Sequence, residues 1–322
     1  MKQNRILILL LSGLLATLPA FASGDEAANH CQTHLLLVAK NVPGKVNVKK
    51  ADPDYLEEYQ VCSREHHEYI EALDALGFTV EEFNNSNEFS ASMFVEDPGV
   101  MLGFYEGAYH MVITRVGSEW RKKEGRALKK HLENPGLQNH FKKYRFVTYD
   151  MRKVPGATLD GGDVLRIEDQ LFIGLSPHTN IKGARYLAEK ARLTGLTPHI
   201  INVPKGLHLK SSCSLAASQL IVYDPKLAGE ELLQLFSDTL PDYDLMPVEH
   251  LGSNVLFLGT SPKTGRECAL VAATAPDTAL FLEKTLGLQV IRLKRLYHES
   301  LSGRLTCCSI RLPLPFAGSW ST

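Results

Sequence analysis

Apolar and polar positions follow two alternating periods along the chain, and the switch between them recurs. EALDALGFTVEEF at 71–83 reads as the end of an amphipathic helix, a glycine stop and a short strand. AEKARLTGLTPHIINV at 188–203 and LEKTLGLQVIRL at 282–293 have the same shape. HLENPGLQNHFKKYRFVTYD at 131–150 and ELLQLFSDTLPDYDLMPV at 231–248 follow it more loosely. The pattern predicts five helix-to-strand units whose strands end near 83, 150, 203, 247 and 293. Their spacing of roughly 45–65 residues is within, or a little above, the range of structural repeats.

Between these units lie strand-like runs: HLLLVAKNV (34–42), VMLGFY (100–105), HMVITR (110–115), QLFIGL (170–175), QLIVYD (219–224) and NVLFLG (254–259). Each repeat is thus strands plus one helix, which predicts an α/β fold of pseudo-repeats. In a radial arrangement of such repeats, a site would lie near the axis, where strand ends and loops from different modules converge. The chain has no long linker, low-complexity run or charge block. One domain is therefore expected over 34–316, with a short segment at 23–33 and a tail at 317–322.

Composition narrows the functional classes. With 322 residues, 35 basic and 36 acidic side chains and 44% hydrophobic residues, the chain is an ordinary globular sequence with a large core. A formal net charge of -1 argues against a nucleic-acid partner, which needs clustered Lys and Arg. The first residues stand apart: MKQNR is basic, ILILLLSGLLATL is apolar and of signal-peptide length, and Ala20 and Ala22 have cleavage-site spacing. The run breaks at Pro19, short of a membrane span. A signal peptide over 1–22 is expected, and with it a periplasmic or secreted protein that has no membrane association after cleavage.

Export places six cysteines in an oxidising compartment. Cys62, Cys213 and Cys268 sit in apolar or mixed settings and read as buried small hydrophobes. Cys307 and Cys308 are adjacent, so a bond between them would need a strained ring, and a free thiol is expected there.

Four short segments carry candidate chemistry. In FVEDPGV (94–100), Glu96 and Asp97 adjoin an apolar strand, where alternation sends one of them to a given pocket; a surface turn is the alternative. In ATLDGGDVL (157–165) the glycines either fix Asp160 in a cleft or form a hairpin turn. In GLHLKSSCS (206–214), His208 alternates with Leu207 and Leu209, giving one polar face and one apolar face; a satisfied structural histidine is the alternative. In GRLTCCSI (303–310), Thr306 and Ser309 bracket the two thiols in a strand-like run. Together these supply a thiol nucleophile, an acid/base partner and surplus carboxylates. Unpaired buried acids near one thiol imply a cationic substrate, since the acids would otherwise be costly. The same acids would hold the thiol protonated until that cation arrives. CxxC and HExxH metal motifs are absent, as are Walker and GxGxxG nucleotide motifs, so no cofactor is expected.

These motifs, with ITRVGSEWRKKE (113–124) and FIGLSPHTN (172–180), resemble the dimethylarginine dimethylaminohydrolases in order and interval, from about His34 to Ile310. That family belongs to the guanidine-modifying penteins, so the resemblance implies a five-module α/β propeller. It implies Cys307 as nucleophile, His208 as general acid/base, and Asp160 and Asp97 as guanidinium-binding carboxylates. Glu96 would support them, Arg121 would hold a substrate α-carboxylate, and Val42 and His178 would complete the substrate site. The resemblance departs at three places: His178 stands where the family has arginine, while Ala91 and Ser302 stand where it has aspartate. The implied partner is a small guanidine, the implied state a monomer or homodimer. Arginine deiminase, amidinotransferase and non-catalytic binding of arginine-like ligands are the competing readings.

Overall fold

Short apolar strands separated by tight turns pair first with their sequence neighbours, and here that local pairing builds five small sheets. The computed structural model describes residues 32–40, 53–85, 93–133, 144–203, 205–294 and 303–314. The candidate leader, Val42, Ala91 and Ser302 lie outside the described residues.

In chain order the elements are β1 (Thr33–Ala39), α1 (Pro53–Ala75) and β2 (Thr79–Phe83), then β3 (Gly99–Tyr105), β4 (Ala108–Ile113), α2 (Glu124–Glu133) and β5 (Arg145–Asp150). Next come β6 (Val164–Ile167), β7 (Gln170–Leu175), α3 (Ile181–Arg192) and β8 (Thr197–Asn202). These are followed by α4 (Leu209–Ser212), β9 (Cys213–Ala217), β10 (Leu220–Tyr223), α5 (Glu230–Thr239) and β11 (Asp244–Pro247). The chain ends with β12 (Leu256–Thr260), β13 (Glu267–Ala272), α6 (Pro276–Lys284), β14 (Gln289–Leu293) and β15 (Ser309–Pro313).

Every sheet follows one rule. A central strand pairs antiparallel with the strand before it and parallel with the strand that returns after a helix. The fifth sheet obeys the rule only because β15, from the end of the chain, pairs antiparallel with β1 while β2 pairs with β1 in parallel. Val38 opposite Ser309 and Leu37 opposite Ile310 close the ring of modules. Leu36, Leu37 and Val38 are fully buried there, so truncating one of these leucines to alanine would cost about 2–5 kcal/mol.

Residues of β3, β6, β9 and β15 line one cavity of about 120 Å³, which marks the first strand of these four modules as the inner one, and β12 holds the same place in the order of its own sheet. The expected strand ends agree with the observed ones at 83, 150, 202, 247 and 293. Apolar packing runs between neighbouring modules. One cluster joins α1 and its sheet to β4 and β12, a second joins the β9–β11 and β12–β14 modules, and a third joins β3–β5 to β6–β8. This is the five-module pentein architecture that the repeat pattern and the resemblance implied.

Candidate active site

The reactive side chains lie in the short turns that lead into the inner strands. The turn before β3 carries Glu96 and Asp97, and Thr114 Oγ1 donates to the Asp97 carbonyl at 2.6 Å. Both acids are buried in this turn and neither lies on a strand, which corrects the alternation expected for FVEDPGV. The turn before β6 carries Asp160 and is a 3-10 turn over Gly161–Asp163, not a hairpin. Both glycines are sterically required. A β-carbon at Gly161 would collide with the Glu96 carbonyl, and one at Gly162 would lie 2.6 Å from His208 Nδ1.

His208 precedes α4 and is buried, whereas Leu207 is exposed and Leu209 fully buried. The regular alternation expected there fails because the chain bends at His208 and turns helical, so successive residues do not fall on two opposite faces. Cys307 and Cys308 lie on a 3-10 turn over Thr306–Cys308, and the strand begins only at Ser309. The strand reading of LTCCSI is thus corrected. Local bonds from Cys307 N–H to the Arg304 carbonyl (3.2 Å) and from Cys308 N–H to the Leu305 carbonyl (3.3 Å) set the turn. Cys308 is nonetheless fully buried in the apolar cluster. The described cysteines, including Cys62, Cys213 and Cys268, are free thiols.

These turns are bonded to one another. Glu96 N–H donates to the Cys307 carbonyl at 3.1 Å, and Gly161 N–H donates to the Asp97 carbonyl at 3.2 Å. Gly162 N–H donates to Asp97 Oδ1 at 3.1 Å, and Gly117 N–H donates to Asp160 Oδ1 at 2.7 Å. His208 Nε2 lies 3.2 Å from Asp160 Oδ2. Asp163, the second acid of the DGGD run, faces inward. It accepts from Ser176 Oγ and Thr179 Oγ1, each at 2.6 Å, and from Leu209 N–H at 2.9 Å, and so ties the His208 turn to the Asp160 turn.

Arg121 turns away from the role the resemblance implied. Its guanidinium donates to Asp97 Oδ2 at 2.7 Å, to both oxygens of Glu124 and to the Phe94 carbonyl at 3.0 Å. With its side chain only 7% exposed, it is an interior strut between two carboxylates, not an open grip for a substrate carboxylate. Glu96 pairs with Lys210, and its second oxygen is buried with no hydrogen-bond partner. The axial cavity touches Glu96, Lys210, Gly161 and Ser309 but none of Asp97, Asp160, His208 or Cys307. The Glu96–Lys210 pair therefore stands between the reactive residues and the rest of the axis.

Charge is sharply organised. Burial pushes the Cys307 thiol far above its ordinary value, and the negative charges of Glu96 and Asp97 push it further. Burial disfavours charge on His208, but its bond to Asp160 and the charges of Asp97, Asp163 and Asp160 outweigh this and raise it to about 9. Burial also opposes charge on Asp97, yet Arg121 and His208 hold it below the ordinary carboxylate range. At neutral pH the site therefore rests as a neutral thiol beside an imidazolium and at least one firmly ionised carboxylate.

Ligand atoms of Asp97, Asp160 and His208 lie within 4.8 Å of one another, a spacing that suits a cation. Asp97 is already bonded to Arg121 and Gly162, and Asp160 to Gly117 and His208, so the donor set is satisfied from within the protein. A planar cation that donates several N–H bonds fits this set better than a metal ion does.

Two contributors were not singled out from the sequence, although Lys210 lies inside GLHLKSSCS. Lys210 is one. The other is Asn254, two residues ahead of β12 and 3% exposed. Its Nδ2 donates to the Lys210 carbonyl at 2.8 Å and to Thr306 Oγ1 at 3.0 Å, and its Oδ1 accepts from Thr306 N–H at 3.2 Å. The only available signal was positional, since it occupies the same place before its inner strand as Asp97 and Cys307.

A thiol, an imidazolium and paired carboxylates converging on the axis of a pentein propeller define a guanidine-modifying hydrolase. Comparison with known proteins is specific. The arginine deiminase family model matches residues 87–252. An N(G),N(G)-dimethylarginine dimethylaminohydrolase of Streptomyces coelicolor is 32% identical over 244 residues, covering 76% of this chain and 83% of that protein. One of Pseudomonas aeruginosa is 24% identical over 275 residues, covering 84% and 94%. A crystal structure of a dimethylarginine dimethylaminohydrolase adduct with 4-chloro-2-hydroxymethylpyridine superposes with a TM-score of 0.65, covering 87% of this chain and 100% of that one at 22% identity. The chain belongs to the dimethylarginine dimethylaminohydrolase family.

Proposed function

We propose that this protein is an exported, Cys307-dependent hydrolase of N-omega-methylated arginine that yields citrulline and methylamine or dimethylamine. The observation that carries the reading is that turns of four separate modules hold Asp97, Asp160 and His208 within 4.8 Å of one another, with Cys307 tied to the same point by the Glu96 N–H bond to its carbonyl and by the Asp97 charge acting on its thiol. Relatives named for dimethylarginine support the substrate class, as does a structural neighbour, named for the same activity, complexed with citrulline.

The guanidinium donates its N–H groups to Asp97 and Asp160. Its positive charge offsets the acids that hold Cys307 protonated, so the thiol releases its proton to solvent only when substrate is bound. The thiolate attacks the central guanidinium carbon. Imidazolium His208 protonates the departing amine as the C–N bond breaks, and a thiouronium remains on Cys307. Neutral His208 then takes a proton from water, the hydroxide adds, and the C–S bond breaks as the hydroxyl proton passes to solvent, releasing the neutral ureido product and the Cys307 thiolate. Cys307 regains its proton once that neutral product has left, so protons balance over the cycle.

Export rests on the leader at 1–22. Mass measurement of the amino terminus of protein recovered outside the cytoplasm should find chains beginning at Ser23; intact leader there would overturn export. For the chemistry, mature protein is offered asymmetric dimethylarginine, monomethylarginine, arginine and agmatine while ureido product and amine are followed. Turnover of the methylated arginines is expected. Preferred turnover of agmatine or arginine would reassign the substrate, and unchanged guanidines throughout would leave binding without catalysis.

A further inference from the structure

His178 was implicated as a substrate-site residue and as a departure from the family pattern, and the mechanism above does not use it. We propose that His178 is a positioning residue that shares Asp160 with His208, and that its protonation weakens substrate capture by offsetting the Asp160 charge. The inference rests on the guanidine-hydrolase reading.

The geometry is a row of three groups. Asp160 Oδ2 lies 3.2 Å from His208 Nε2 and 3.8 Å from His178 Nδ1, and the two imidazole rings are 5.3 Å apart. Asp160 cannot turn away, because its other oxygen accepts from Gly117 N–H at 2.7 Å. His178 is also held by its backbone. Its N–H donates to Ser176 Oγ at 3.1 Å, and a β-carbon at Gly117 would lie 2.5 Å from its carbonyl oxygen. The side chains of Asp160 and His208 are 2% and 8% exposed, whereas that of His178 is 24% exposed. His178 is therefore the solvent end of the row.

At 3.8 Å a neutral imidazole makes no hydrogen bond to the carboxylate, while an imidazolium is drawn to it. The charged groups facing His178 are Asp160 and His208 directly, Asp163 beneath the Ser176 and Thr179 hydroxyls, and Asp97 with Arg121 beyond His208. A proton on His178 adds a second imidazolium beside His208 and occupies the oxygen that the substrate's N–H groups need. Binding of a cationic substrate weakens, while the steps at Cys307, which follow binding, change less.

The test uses His178→Asn and His178→Gln in the mature protein, with two readouts. In the parent, KM for asymmetric dimethylarginine should rise about three- to tenfold on acidification from about pH 8 to about pH 5, with kcat little changed, since a tenfold effect corresponds to one pH unit. Both variants should flatten that limb. Independently of turnover, imidazole NMR of His208→Gln should show the His178 protons titrating at higher pH than in the parent, because the cationic neighbour is removed. His178 variants whose KM–pH curve superimposes on the parent's, or a His178 titration left unchanged by His208→Gln, overturn the proposal. So does a KM increase at every pH for dimethylarginine but not for agmatine, which would make His178 a direct grip on the substrate carboxylate. A parent that turns over no guanidine defeats the hydrolase reading, and the NMR titration alone then decides whether the two histidines are coupled.

Discussion

Four modules of this ring deliver reactive groups to the axis, and the β12–β14 module delivers none, although its chain passes through the same point. Asp97 stands two residues ahead of β3, Cys307 two ahead of β15 and Asn254 two ahead of β12. Asp160 and His208 stand four and five residues ahead of β6 and β9, the extra length taken up by a 3-10 turn and by α4. One backbone design thus supplies a carboxylate, an imidazole, a thiol or an amide at the same location. In the β12–β14 module the amide clamps Thr306, next to the nucleophile, to the Lys210 carbonyl, near the acid/base. The fold fixes where a side chain arrives, and the residue type decides whether it reacts or braces.

The sharpest way to break this contrast is at the reactive modules. Cys307→Ser should lower kcat for any guanidine substrate at least roughly a thousandfold, as loss of a covalent nucleophile does. Control turnover equal to the parent's would show that the thiol is not the nucleophile. The fold should survive, because Cys307 N–H and C=O keep their bonds to Arg304 and Glu96.

His208 gives the next largest effect, read as stability. Its folded-state value of about 9 lies above the ordinary histidine value, so the folded protein binds this proton more tightly than the unfolded chain. That contribution is complete below pH about 6.5 and is lost as pH rises through about 9, up to about 3 kcal/mol. Thermal melts of the parent should fall across that window, and His208→Gln should remove most of the fall. Parallel curves for the two proteins would contradict the charge arrangement described.

Asn254→Ala tests the bracing role. It removes a buried amide from three hydrogen bonds and should cost about 1–3 kcal/mol of stability. If the amide also aligns the nucleophile turn, kcat falls while KM holds, and the alkylation rate of Cys307 changes in free enzyme. A loss of stability with kcat and alkylation untouched would leave Asn254 a purely structural residue.

These contrasts also explain what the sequence disclosed. The helix-to-strand units were legible because each ends in a glycine-punctuated switch of period, as at Gly77, Gly195 and Gly287, all with positive φ. Strands β6, β9 and β13 were not marked, because β6 is only four residues long and interrupted by Arg166, while β9 and β13 are rich in alanine with serine or glutamate, residues of weak strand preference. The reactive residues were visible by chemical type, but the segments around Asp97, His208 and Cys307 were read with strand alternation and the Asp160 turn as a cleft loop or hairpin, since Val, Thr and Cys favour extended backbone locally and only contacts between modules bend it. Asn254 was invisible for a different reason. A buried amide has no chemical signature until its partners, Lys210 and Thr306, are known to be neighbours.

The smallest expected effect tests the other side of the comparison, stability without chemistry, in the β12–β14 module. Helix α6 begins after Ala275, which offers no side-chain cap. Glu249 supplies the cap from outside the helix, accepting from Asp277 N–H and Thr278 N–H, each at 3.0 Å, and from the Thr278 hydroxyl. A carboxylate at a helix amino terminus satisfies unpaired donors and meets the positive end of the helix dipole. Glu249→Ala should therefore lower stability by about 1 kcal/mol, seen as a modest drop in the melting midpoint. The bonds lost at Asp277 and Thr278 involve none of Cys307, His208, Asp97 and Asp160, so kcat and KM should stay within error of the parent's. A fall in kcat larger than the stability loss would mean that this module's outer helix and its axial amide are coupled, and that scaffold and chemistry are not divided between modules as the geometry implies.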